Sequence, residues 1–140
     1  TKTMINNYAK NHLLPAPDKK KYSKEHLLLL IYIYYYKSIL SIGDIQSLLE
    51  PLTDRYFHNE GEFNMQSIYE EVFSLEKEQV EKMKQDVTEK YETASRIFPE
   101  AEAEDQEFLR IFSFICLLSF DVYVKKQVIE KLIDELPKKS

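Results

Sequence analysis

A short segment near the amino terminus has the side chains needed to grip a polyanion. Lys2, Asn6, Asn7 and Lys10 fall within one polar stretch, and Lys19, Lys20 and Lys21 follow in a row between Leu13-Leu14-Pro15 and Tyr22-Ser23. Lysines beside phosphates release condensed counterions and give salt-dependent affinity. An asparagine amide offers a donor and an acceptor together, which matches adenine N7 and N6 in the major groove. Tyrosine hydroxyls donate to phosphate oxygens. The expected chemistry is recognition of double-stranded DNA. Lys2, Thr3, Asn6, Asn7, Tyr8 and Lys10 would lie on one helix, with Lys19, Lys20, Lys21 and Tyr22 in the loop beside it. Tyr8 and Tyr22 serve equally well as packing aromatics, and a lysine run in a loop is often only solvated.

The charge distribution favours the same end of the chain. Net charge is −5 over 140 residues. Residues 1–40 hold seven lysines against Asp18 and Glu25, a balance of +5, while the other hundred residues carry 12 basic and 22 acidic groups, or −10. A basic head on an acidic body suits a polyanion bound at one end.

Other chemistries find little support. His12, His26 and His58 are scattered, with no paired spacing for metal or for a nucleophile. The two glycines, Gly43 and Gly61, form no phosphate loop. Glutamate pairs such as Glu78 and Glu81 lack the histidine partners of a di-metal bundle and read as a solvated helix face. No catalytic residue, metal or cofactor is expected. One cysteine, Cys116, excludes an internal disulfide, reads as a small buried residue, and fits a reducing cytoplasm. The apolar runs are too short to span a bilayer.

The elements that must position these groups are helical. Residues 3–11 form a short helix capped by Thr3 and ended by Leu13-Leu14-Pro15, and Pro15, Pro17 and Asp18 shape a turn. Ser23 caps a helix running to about Ser38 that is apolar nearly all round. Its Tyr32, Tyr35 and Tyr36 share a face that packs the head against its extension. Ser41 and Asp44 open a helix that stops at Pro51. Residues 52–63 read as a linker. Asn64 caps a long helix from about Met65 to Ile97, with Phe73, Val80, Val87 and Ala94 at intervals of seven. After Pro99 comes a last helix whose residues 108–124 are apolar almost without relief. Phe108, Phe112, Ile115 and Phe120 read as core there, and a second subunit is the simplest cover for so apolar a helix.

The order Tyr8, Leu13-Leu14-Pro15, Lys20-Lys21-Tyr22-Ser23 and Glu25 resembles the winged helix-turn-helix head of MerR-type transcription regulators. "SIGDIQSLL" (41–49) is similar to the helix that follows in that family. His12 stands where those heads carry glycine, Met4 where they carry threonine, and Asn6 where they carry arginine. The first helix of the motif would precede Thr3. The longer run from Thr1 to Leu30 resembles an uncharacterised bacterial family, domain of unknown function 1836.

The expected fold is mostly α: the resemblance gives a MerR-like winged-helix head over residues 1–51, with a small wing hairpin, and the helical pattern adds the 52–63 linker and a long-helix antiparallel dimerisation bundle over 64–140. The resemblance implies a transcription regulator bound to double-stranded DNA, which the residues themselves lead one to expect as cytoplasmic, homodimeric and non-enzymatic. The sequence specifies neither an operator nor an effector. A second reading keeps the helices and drops the DNA, leaving a protein-interaction module whose lysines are merely solvated.

Overall fold

The computed structural model describes residues 2–138. Residues 1, 139 and 140, at the outer ends of the predicted head and tail, lie outside the described residues. Among the described residues the chain forms six helices and no strand: α1 (Lys2–Lys10), α2 (Lys24–Tyr36), α3 (Ile42–Tyr56), α4 (Met65–Phe73), α5 (Glu76–Ser95) and α6 (Ala103–Asp134). They divide into two compact units. One comprises residues up to Phe73 together with those from Ile129 onward, and the other is Ser74–Val128. No helix among the described residues is long and apolar enough to cross a membrane.

The first unit is built around α2. Ser23 is extended at φ −92° and its hydroxyl accepts the His26 N–H, so the helix starts where a side chain satisfies an otherwise unpaired donor. Leu29 and Ile33 are fully buried, with Leu28 and Tyr32 beside them, and Leu13, Leu14, Ile45, Leu49 and Met65 complete the core. Ile133, near the end of α6, is buried in the same cluster. Tyr32 stacks on Tyr36 and meets Tyr69 and Phe73, so the tyrosine face of α2 packs on α4.

Several boundaries differ from those read in the sequence. α3 does not stop at Pro51 but continues to Tyr56. An interior proline removes a helix hydrogen bond at a cost of about 3 kcal/mol. Leu52, Tyr56 and Phe57 beyond it pack against the core, and that burial outweighs the loss. Residues 52–56 are therefore helix, not linker. Asn64 does start a helix, by a reciprocal pair in which Ser67 N donates to Asn64 Oδ1 and Asn64 N to Ser67 Oγ, both at 2.9 Å. The expected single helix from Met65 to Ile97 is two, broken at Ser74 and Leu75. No glycine or proline marks the break.

The second unit pairs α5 with α6. Lys90 bridges two carboxylates, Asp86 one turn back on α5 and Asp121 on α6 at 2.9 Å. Hydrogen bonds from Lys90 depress the Asp121 pKa below the ordinary carboxylate value, and those bonds, to Asp86 first, raise that of Lys90. Tyr91 meets Phe114 edge to face. Of the predicted seven-residue stripe in this unit, only Ala94 is fully covered, while Val87 is exposed. Phe108, Phe112, Ile115 and Phe120, expected as core, are all more than half exposed, and Cys116 is half-buried. The α5 contacts engage another side of α6, so these side chains are left largely uncovered within the hairpin.

Candidate nucleic-acid interface

On α1, Lys2, Asn6 and Lys10 stand four residues apart, with Thr3 and Asn7 one position on. That spacing puts all five on one face, and all five are exposed. Ile5 and Tyr8 occupy the opposite face and pack on the core. Tyr8 is therefore placed as a packing aromatic, with its ring turned away from the Asn6 face.

The end of α1 explains the residues that follow. His12 takes the left-handed conformation at φ 63°. Its N–H donates to Ala9 O at 3.2 Å, and Leu13 N–H reaches back five residues to Tyr8 O at 2.9 Å. These two bonds form a Schellman motif, which terminates a helix and usually has glycine at the left-handed position. Leu13 and Leu14, delivered by that turn, are buried and anchor α1 to the first unit.

The lysine run occupies a second left-handed turn. Lys19 and Lys20 have φ 48° and 65°, and Lys21 N–H closes the turn on Asp18 O at 2.8 Å. Two consecutive residues with positive φ between paired neighbours make a type I′ turn, where Asn-Gly is preferred. The expected wing hairpin is reduced to this turn and a single bridge between Asp18 and Lys21. Its arms explain why no ladder grows: Pro15 and Pro17 have no N–H to donate, and Ser23 is already committed to capping α2. All three lysines are exposed.

Tyr22 joins the turn to the helix. Its hydroxyl donates to Asn6 Oδ1 at 3.3 Å, across 16 residues of chain. This orients the amide and leaves both Nδ2 hydrogens, and one lone pair of Oδ1, available to a ligand. Of the ten residues named from the sequence, nine are exposed, and this bond links the α1 group to the turn group. Tyr8 is the exception.

His26 escaped the sequence reading, yet it holds the turn in place. It is buried at 1% exposure. Ser23 N–H can only donate, and it points at His26 Nδ1 from 3.0 Å, so Nδ1 is the acceptor. The ring proton therefore sits on Nε2, which donates to Pro15 O at 3.0 Å. Tyr22 and Phe57 pack edge-on against the ring. One neutral imidazole thus ties both ends of the 15–23 segment to α2. The legible signal was Ser23-x-x-His26, capping-box spacing with histidine in place of Glu or Gln. Next to it, Glu25 accepts from His58 N–H at 2.8 Å and pairs with His58 Nδ1 at 3.1 Å, holding the connection after α3. Lys24 is a further exposed cation beside the turn, at a helix start where the dipole disfavours positive charge.

Searches of curated proteins and of solved structures find no match for the chain. A family model does match, over residues 1–72, which takes in α1, the lysine turn, α2, α3 and nearly all of α4. Every residue of the candidate interface lies within that span, and the match covers half of the chain. The chain belongs to the family described as domain of unknown function (DUF1836).

Proposed function

We propose that this chain is a DNA-binding transcription regulator with a MerR-like head, working as a homodimer in the bacterial cytoplasm. The observation that carries the reading is the Tyr22–Asn6 hydrogen bond, which makes one surface of the polar face of α1 and the lysine turn. The left-handed His12 adds support, because it takes the backbone conformation that glycine supplies at the matching position of MerR heads. In this mechanism α1 enters the major groove, with Asn6 and Asn7 at base edges and Lys2 and Lys10 on flanking phosphates. Lys19, Lys20 and Lys21 follow the adjacent backbone. Two such heads in a dimer would read half-sites about 34 Å apart.

Binding to fragmented genomic DNA at two salt concentrations tests this. The expected result is affinity that falls with salt, and a log–log slope reduced by about 2.7 when Lys19, Lys20 and Lys21 are all changed to Ala. Asn6→Ala should keep salt-dependent binding and lose sequence preference. If no fragment is retained at low salt, the DNA reading is wrong and the head is a surface for protein partners.

A further inference from the structure

α6 carries an exposed apolar face inside the second unit. Phe108, Ile111, Phe112, Ile115 and Val122 recur at helical spacing, and each is about half exposed or more. Phe108 and Phe112 stack on one another at 5.8 Å. Ser119 lies on the same face, and its hydroxyl donates to Ile115 O at 2.7 Å, so it brings no unsatisfied polar group. Asp121 and Phe114, which meet α5, lie on a different side of the helix.

The face is bounded by opposite charges. Glu104 precedes Phe108 by one turn and Lys126 follows Val122 by one turn, and both are exposed. Neither joins an ion pair among the described residues. The arrangement is a palindrome about Ile115. Glu104 and Lys126 lie eleven positions to either side, Phe108 and Val122 seven, and Ile111 and Ser119 four. A helix laid antiparallel on an identical helix, with the two-fold axis at Ile115, therefore sets Glu104 of each copy against Lys126 of the other. It also sets Phe108 on Val122 and the bulky Ile111 opposite the small Ser119. A parallel pairing would oppose Glu104 to itself and Lys126 to itself.

The area suffices for such a pair. Five large apolar residues about half exposed present on the order of 500 Å² per copy. Doubled, this is about 1,000 Å², the lower bound for a specific interface before the charged ends are added. We propose that α6 is the self-association surface, pairing antiparallel with a second copy through Phe108, Ile111, Phe112, Ile115 and Val122, with the two-fold axis at Ile115 and Glu104–Lys126 ion pairs at both ends. This deepens the homodimer part of the function proposed above, and rests on it, but is independent of DNA.

Cross-linking and charge reversal in the full chain test the register. In a Cys116→Ser background, Ile115→Cys should form a disulfide-linked dimer on mild oxidation, because an isologous two-fold places the residue opposite itself. Phe120→Cys, off the face, should not. Glu104→Lys or Lys126→Glu alone should weaken the dimer about tenfold by sedimentation, since each change replaces two attractions with two repulsions. The double reversal should restore it. A dimer in which Ile115→Cys does not cross-link and the double reversal does not rescue would overturn this register while leaving homodimerisation standing. A monomer at every concentration would overturn both.

Discussion

Replacing Lys19 by Asn and Lys20 by Gly should make the protein more stable and a poorer ligand for DNA. Both lysines hold positive φ, 48° and 65°. For residues with a β-carbon that conformation costs about 1–2 kcal/mol each. Asn tolerates the left-handed region and Gly adopts it freely, though Gly returns some of the gain as entropy of the unfolded chain. The net expectation is about 1 kcal/mol of added stability, or a rise in Tm of about 3 °C. Losing two phosphate contacts should lower the salt slope by about 1.8, which near 0.1 M salt is on the order of 50-fold in affinity. His12→Gly is the control: it relieves the same kind of strain at φ 63° without removing a cation, so it should raise stability and leave DNA affinity alone. Thermal denaturation and fluorescence anisotropy with a DNA duplex read the two quantities separately. If the double variant binds as tightly as the parent, the lysines do not touch phosphate. If it is less stable, the turn is not under the strain assigned to it.

His26→Ala should cost about 3 kcal/mol, because it leaves the Ser23 N–H and the Pro15 carbonyl without their ring partners and opens a buried cavity; denaturant titration reads the loss. Asp121 has a depressed pKa, chiefly from the Lys90 hydrogen bond, so its contribution is present above the ordinary carboxylate value and lost as pH falls through the lowered one. Asp121→Asn should therefore melt earlier at neutral pH and lose less stability on acidification than the parent. Tyr32 has a raised pKa, from burial first and then from Tyr36 and Tyr69, so stability should fall as pH rises beyond the ordinary phenol value of 10.0. Tyr32→Phe should flatten that alkaline limb in pH-dependent melts.

Three helix starts were legible because they carry capping residues, whereas Thr3, expected to cap the first helix, lies inside α1. Ser23, Ser41 and Asn64 each cap the helix expected of them. Stops were harder, because they depend on what lies further away. Pro51 reads as a terminator, yet Leu52, Tyr56 and Phe57 have a core to reach, and tertiary burial overrides a local penalty. The break at Ser74 and Leu75 has no local sign at all. On α6, composition alone identifies a helix needing cover, but not which side is left bare, since that depends on where Lys90 and Tyr91 of α5 make their contacts.

The turns at the end of α1 and at Asp18 were expected, but their left-handed backbone was hidden, because glycine is not where that backbone needs it. Five described residues hold positive φ (His12, Lys19, Lys20, His58 and Phe98), and neither Gly43 nor Gly61 is among them. Without glycine as a marker, the sequence places these turns but does not show the Schellman geometry at the end of α1 or the type I′ geometry at the lysines. Three of the five lie within nine residues of chain, inside the candidate interface. Natural sequences set aside local preference mainly where another demand is stronger. Lys19 and Lys20 keep two cations in a turn that Asn-Gly would fold with less strain and no charge. At His26 the departure is of another kind, a neutral imidazole placed where a capping Glu or Gln is usual, and it reaches the Pro15 carbonyl from inside the core. The strained tip and the buried histidine thus belong to one device. His26 holds both ends of the segment, and the lysines at its tip are presented at a backbone cost that the proposed phosphate contacts would offset.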